Sequence, residues 1–352
     1  MMTPLQSPFP AFGGKSKIAA EVWARFGEPA NYVEPFANSA AVLLRRPGWK
    51  PDVNWIETIN DADGFIANFW RAVAADPAAV AHWADWPVNE NDLTARHAWL
   101  VRNHLGSLAP KLEADPDFFD VKVAGWWVWG ACCWIGSGWC SGEGPWQVVD
   151  GVLMKTTKEG VDKTRPALGT PGQGVNRQLV HLGDAGQGVN RKRPALSSNG
   201  WGLGESSGIL DWMQALSDRL RRVRVCCGDW SRVCGPSPTT KLGLTAVFLD
   251  PPYSDKAGRD SNLYAVDSLD VAHECREWAI ANGDNPLLRI ALCGYDGEHD
   301  MPDSWAVYRW KAHGGFGNLG NGTGRDNAHR EIVWFSPHCL ASNQFYTPSL
   351  FD

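Results

Sequence analysis

The chain has 352 residues, 44% of them hydrophobic and 20% charged. That is enough to bury a full core in one large domain or two of ordinary size, which excludes a disordered chain and a miniprotein scaffold. A formal net charge of -6 counts against nucleic acid as a partner, because phosphate binding rests on clustered Lys and Arg, yet the distribution of those residues decides more than their sum.

The N-terminal stretch MMTPLQSPFPAFGGKSKIAAEVW lacks the basic start, apolar run and small-residue cleavage site of a secretory signal. No segment has the uninterrupted apolar length of a bilayer span, so a cytoplasmic protein with no membrane partner is expected. Residues 18 to 26 read as a helix. Asn31-Tyr32-Val33 reads as a short strand ending near Glu34-Pro35, because Pro bars further regular pairing, and a helix begins at Ala40. Val53 to Asp61 predicts a second strand ending in a carboxylate, followed by a helix that places Phe65, Phe69 and Val73 at helical spacing. Strand-helix-strand-helix in this order opens a doubly wound α/β fold.

From Asp76 to Gly144 the chain is helical in tone and rich in tryptophan, peaking in GWWVWGACCWIGSGWCSG. Trp126, Trp127 and Trp129 are expected in the core, since an indole contributes so much buried area. An internal repeat of period 14 follows, PALGTPGQGVNRQL from Pro166 and VHLGDAGQGVNRKR from Val180. Two copies are too few for a solenoid, and their Gly and Pro favour turns joined by short extended pieces. Between Lys155 and Gly200 eight Lys and Arg residues stand against three acidic ones, so this segment reads as an inserted basic arm in an acidic protein. Regular structure resumes with a helix over Ile209–Leu220 and strands over Val223–Cys227, Ala246–Asp250, Leu288–Cys293, Trp305–Trp310 and Glu331–Phe335, with GGFGNLGNGTGRDN as a loop. The middle of the chain is then an insertion in a single sheet domain. The nine cysteines fall as the pairs Cys132-Cys133 and Cys226-Cys227 and as singles, with no C-x-x-C knuckle, so reduced and mostly buried thiols are expected, and no metal.

The chemistry concentrates where strands end. Asp250-Pro251-Pro252-Tyr253 follows an apolar strand, which puts it in the crevice at the carboxyl edge of a parallel sheet. An exocyclic adenine amine is a poor nucleophile because its lone pair is delocalised into the ring. The Asp250 carboxylate and the Pro251 carbonyl can accept its hydrogen bonds and favour tetrahedral nitrogen. Pro251 and Pro252 stiffen the backbone, and Tyr253 offers a face for an unstacked base. The turn Glu34-Pro35-Phe36-Ala37-Asn38-Ser39 and the helix start after it can hold a carboxylate through backbone amides. Asp61 can accept from both ribose hydroxyls of a nucleoside cofactor, or else cap the next helix. Phe12-Gly13-Gly14-Lys15 lets backbone approach a ligand beside a positive charge, and Asp229-Trp230 suits the amine and ring of a cofactor adenine.

With these residues assembled in this order, the chain resembles the Dam-type adenine-N6 DNA methyltransferases, the alpha group, and its departures suit a phage or mobile-element member. The pieces are F-G-G-K at Phe12 to Lys15, Y-V-E-P-F-x-x-S at Tyr32 to Ser39, I-N-D at Ile59 to Asp61, C-G-D-W at Cys227 to Trp230, D-P-P-Y at Asp250 to Tyr253 and R-E-I-V-W from Arg330. The resemblance implies a Rossmann-like sheet binding S-adenosyl-L-methionine (SAM), with residues 1–75 and 205–352 as the catalytic domain. Residues 76–204 would be a target-recognition insertion, ending in the basic arm from about 150. It assigns Asp250, Pro251, Pro252 and Tyr253 to catalysis. It assigns Phe12, Gly13, Gly14, Lys15, Glu34, Pro35, Phe36, Asn38, Ser39, Asp61, Asp229, Trp230 and Asp250 to the cofactor. The partner is double-stranded DNA, its phosphates met by Arg177, Arg191, Lys192 and Arg193, and the protein is expected to be a monomer. Asn38 and Ala40 stand where the family usually has glycine. Methylation of cytosine N4 or of adenine in RNA, and an inactive DNA-binding relative, stay open as alternatives.

Overall fold

The computed structural model describes residues 5–9, 15–134, 139–140, 146–149, 152–155, 208–253, 270–310 and 331–341. The strands are β1 (Asn31–Glu34), β2 (Ile56–Asp61), β3 (Trp146–Val149), β4 (Val152–Lys155), β5 (Val223–Cys227), β6 (Thr245–Leu249), β7 (Leu288–Tyr295), β8 (Ala306–Arg309) and β9 (Glu331–Phe335). Seven of them form one sheet in the order β5-β2-β1-β6-β7-β9-β8, and β3 pairs with β4 as a separate antiparallel hairpin. The first five strands of that order run parallel, while β9 runs antiparallel to both β7 and β8. The molecule is therefore a mixed α/β fold compatible with a Rossmann-like arrangement.

The sheet's burial pattern explains its sequence. Every residue of β1, β6 and β9 is buried, as expected of strands covered on both faces, which read as continuous apolar runs rather than alternating ones. Alternate side chains nevertheless part cleanly. Tyr32, Ala246, Phe248, Ala291 and Cys293 enter one core, and Val33, Val247, Leu249, Ile290 and Leu292 the other.

The helices are α1 (Ala19–Phe26), α2 (Ala41–Leu44), α3 (Gly64–Ala75), α4 (Pro77–Ala84), α5 (Glu90–His104), α6 (Leu108–Ala114), α7 (Val121–Cys133), α8 (Ile209–Leu220) and α9 (Val271–Asn282). Carboxylate and amide side chains start several of them. Asp63 accepts from Phe65 N, Asp76 from Ala79 N ahead of Pro77, Asn89 from Asp92 N, and Asp120 from Val123 N. Phe65, Phe69 and Val73 of α3 lie in the same core as Val80 of α4, Trp127 and Trp129 of α7, and Leu216 of α8. The helices after residue 76 thus share one continuous core with the sheet. Trp126, expected in the core, is only partly buried and packs against it. All nine cysteines are free, seven of them buried.

Several boundaries moved by a residue or more, among them the end of β7, which runs on to Tyr295, and both ends of β8. The second strand starts at Ile56 instead of Val53, whose N–H closes a turn onto the Lys50 carbonyl. The strand before the tetrapeptide spans Thr245–Leu249, so Asp250 lies just past its last paired residue. That single step releases the Asp250 side chain from the sheet's interior to its edge.

Candidate active site

The chain leaves β1 toward β2 on one side of the sheet and leaves β6 toward β7 on the other. The crevice at the carboxyl ends of β1 and β6 is therefore the topological switch point, the place where open α/β sheets bind ligands. Asp250-Pro251-Pro252-Tyr253 opens the segment after β6, and Glu34 ends β1 beside it.

Lys15 reaches this crevice from a single 3₁₀ turn, Lys15–Lys17, with its side chain only 4% exposed. Its Nζ donates to the Tyr253 hydroxyl at 2.8 Å and lies 3.1 Å from Asp250 Oδ1 and 3.5 Å from Glu331 Oε2. The Tyr253 hydroxyl has one proton and two acceptors near it, Glu331 Oε2 at 2.8 Å and Asp250 Oδ1 at 3.4 Å. It donates to the nearer. Burial pushes the Asp250 carboxyl up; the Lys15 ammonium opposes that shift and the Glu331 carboxylate adds to it. One ammonium thus stands between two carboxylates, a balance that favours hydrogen-bond donors from a ligand. The Tyr253 ring is 8% exposed and meets the edge of Tyr295, with centroids 4.6 Å apart at 73°, so the stacking face read from the sequence is largely covered. Burial drives its phenol well above the ordinary range, and Glu331 and Asp250 reinforce this.

Neither Glu331, which lies in the R-E-I-V-W piece, nor Tyr295 is assigned a site role by the sequence. They face each other across the antiparallel β7–β9 ladder. A carboxylate at the head of an otherwise apolar, fully buried strand was the available signal for Glu331.

A second cluster forms behind β1. Asn38 and Ala40 hold left-handed backbone, with φ of 41° and 49°, at the two positions where the resembled family has glycine. Asp61 pins this turn. Its Oδ2 accepts from Asn38 N at 2.8 Å and its Oδ1 from Asp63 N at 2.9 Å. Burial raises the Asp61 carboxyl to about 7, with nearby Asp63 adding to the shift and the two amides resisting it. The helix cap is Asp63, not Asp61. Asn60 Nδ2 donates to Pro35 O at 3.0 Å and to Gly228 O at 2.9 Å, tying the segments after β1 and β5 together. Trp70 Nε1 holds the Asn38 carbonyl at 2.9 Å. Ser39 is buried within the turn.

Glu34 lies beneath this turn instead of lining the crevice. Its Oε2 accepts from the Tyr32 hydroxyl at 3.0 Å and from Leu43 N at 3.2 Å. Desolvation lifts its pKa to about 8, against the pull of those two donors. Past β5, Trp230 stacks on Phe36 with centroids 6.2 Å apart and planes 29° from parallel. The exposed Asp229 accepts from Ser231 N at 2.9 Å, starting the 3₁₀ turn Trp230–Val233. Phe12, Gly13, Gly14, Arg177, Arg191, Lys192 and Arg193 lie outside the described residues.

The structure therefore gathers Lys15, Asp250 and Tyr253 with Glu331 into one network, and Pro35, Asn38 and Asp61 with Asn60 into another. Phe36 and Trp230 form an aromatic wall. All three stand at the carboxyl ends of the adjoining strands β5, β2, β1 and β6. Compared with known proteins, the chain matches no family model and no curated protein. Among the described residues no group of three His, Cys, Asp or Glu side chains is placed to hold a metal ion, and no helix is long and apolar enough to cross a membrane.

Proposed function

We propose that the chain is a SAM-dependent DNA methyltransferase acting on the N6 amine of adenine. The observation that carries this reading is the seat of Asp250-Pro251-Pro252-Tyr253 at the switch point of the sheet, next to a strained turn anchored on Asp61. The strand order also supports it. The dinucleotide fold runs 3-2-1-4-5-6, whereas here a reversed final strand, β9, sits between β7 and β8, which argues for a methyltransferase sheet over a nicotinamide-binding one. On this reading residues 1–75 and 205–352 form the catalytic domain and residues 76–204 the target-recognition insertion.

The residues behind β1 fit a nucleoside cofactor. A carboxylate has about four lone-pair sites, and the two amides on Asp61 use two, which leaves room for two ribose hydroxyls. Those donors would favour the ionised carboxylate over the protonated form that burial promotes. Phe36 and Trp230 present an aromatic wall for an adenine ring. When bound, SAM supplies an electrophilic methyl group. The Asp250 carboxylate, made a better acceptor by burial, and the Pro251 carbonyl hold the target amine and bias its lone pair toward attack. Lys15, tied to Tyr253 and Glu331, fixes the Asp250 side chain in place.

The test is to incubate the protein with SAM and unmodified genomic DNA and map the modified bases. Methyladenine at a recurring short motif is expected; methylcytosine alone would move the tetrapeptide to the amino-cytosine branch. Asp250→Ala is expected to lower transfer by about a hundredfold or more. Asp61→Ala is expected to weaken SAM binding, measured by calorimetry. Full methylation by Asp250→Ala would overturn the assignment.

A further inference from the structure

Helices α4, α5 and α7 border a cavity of about 540 Å³ that the proposed reaction does not use. Its walls include the indoles of Trp83, Trp86, Trp99 and Trp126 and the side chains of Arg96 and Asp92. Arg96 is 7% exposed. Its guanidinium carbon lies 4.3 Å from the ring centroid of Trp129, 5.0 Å from that of Trp126 and 5.3 Å from that of Trp86. Yet Nη1 is buried without a hydrogen-bond partner, and Arg96 forms no ion pair among the described residues. Asp92, one helical turn before it, spends Oδ2 on Trp86 Nε1 at 2.5 Å and Asn89 Nδ2 at 2.6 Å. Lys122 repeats the theme, its Nζ 4.4 Å from the Trp126 centroid and 4.5 Å from that of Trp99, again with no ion pair among the described residues.

A buried guanidinium without an acceptor is expensive, and indole faces return only part of that cost. The guanidinium's other N–H groups can take their acceptor from a ligand in the cavity, and the walls restrict its shape. A small anion would use Arg96 and ignore the indoles. A cation would be repelled by Arg96 and Lys122, and an aliphatic ligand would leave the guanidinium unpaired. A flat ring with adjacent acceptors on one edge and an amine on the other satisfies all three elements. Guanine has that outline, with O6 and N7 as the acceptors that Arg meets best, and an amine for the Asp92 carboxylate. Tryptophan faces interleaved with unpaired cations are also the chemistry that binds unstacked strands. We propose that this cavity is a second nucleobase site, distinct from the methyl-transfer crevice, which takes an unstacked guanine against the indoles with its acceptor edge on Arg96. That the guanine belongs to a DNA strand rests on the proposed function; the ring chemistry does not.

The test titrates guanosine monophosphate into the full chain by calorimetry, with adenosine monophosphate and inorganic phosphate as comparison ligands. Two variants accompany it, Arg96→Met, which keeps bulk and removes the charge, and Trp86→Ala, at a position already 47% exposed. The guanine nucleotide is expected to bind about tenfold or more tighter than the adenine one, and to lose about tenfold or more in each variant, while SAM affinity holds. Retained SAM affinity shows that a variant is folded; should Arg96→Met not fold, Trp86→Ala carries the test. Equal binding to wild type and Trp86→Ala, no binding in the millimolar range, or phosphate binding as well as the nucleotide would each overturn the site. Methylation without guanine binding removes this site and leaves the function standing. Guanine binding without methylation does the reverse.

Discussion

Ala40 holds φ 49° and ψ 31°, a left-handed geometry that costs a residue with a Cβ about 1–2 kcal/mol. Asn38, at φ 41°, pays less, because a short polar side chain tolerates that region. Strain of this kind persists where the surroundings over-determine it, and here Asp61 and Trp70 grip the turn at Asn38. Ala40→Gly should therefore raise stability by about 0.5–1 kcal/mol, the strain relieved less the extra chain entropy of glycine, read as a higher midpoint in denaturant unfolding. Glu34 yields a prediction in pH. Its pKa moves from the ordinary 4.5 up to about 8 in the fold, so between those values the native state holds a proton that the unfolded chain has lost. The stability this gives is complete below pH 4.5 and is lost as pH rises through about 8. Glu34→Gln keeps an acceptor for Tyr32 and Leu43 and removes the titration. Its unfolding free energy should lack a decline of up to about 1.4 kcal/mol per pH unit, the slope of one proton; parallel curves for the two proteins would refute this.

The elements are fastened by one buried carboxylate. Glu57 of β2 accepts from Arg219 Nη1 of α8 at 2.6 Å and from Arg46 Nη1 beyond α2 at 3.1 Å, with all three side chains buried. Removing it leaves two guanidinium groups unpaired in the interior, so Glu57→Ala should cost about 3–5 kcal/mol in chemical denaturation. Closeness of a different kind joins α4 to α7, where a methyl at Gly125 would collide with Trp83. Elements were legible in the sequence where a run of strand-forming residues ends at a sharp break. β5 and β9 begin and end at the expected residues: β9 is buried throughout and stops at Ser336-Pro337, and β5, an edge strand that is mostly not buried, stops at Gly228. Helix α9 gave no such signal, because the residues it buries, Ala272, Cys275 and Ala279, are small and set among charges. The site divides in the same way. Asp250, Tyr253, Lys15 and Asp61 could be read from short motifs, but Glu331 and Tyr295 reach the network only through the long-range pairing of β9 with β7, and local sequence carries no record of that register.

At the scale of the whole molecule, a chain of net charge -6 is proposed to hold a polyanion, which is possible only if its positive residues are segregated. The sequence segregates them, with eight Lys and Arg against three acidic residues between Lys155 and Gly200. Two cations with no ion pair among the described residues, Arg96 and Lys122, stand among the tryptophans of the helical region. Each phosphate neutralised by a basic side chain releases condensed counterions and adds about 0.9 to the slope of log affinity against log salt. Contacts of this sort carry no sequence information. Substituting Arg191, Lys192 and Arg193 by Gln should accordingly weaken binding to cognate and unrelated duplexes alike, and lower the salt slope by up to about 3. SAM affinity should stay constant, because the residues proposed to hold the cofactor lie at the ends of β1, β2 and β5. Fluorescence anisotropy across a salt series reads both quantities. An unchanged slope would show that the arm does not touch phosphate, and would shift the burden of strand binding to the Arg96 and Lys122 face.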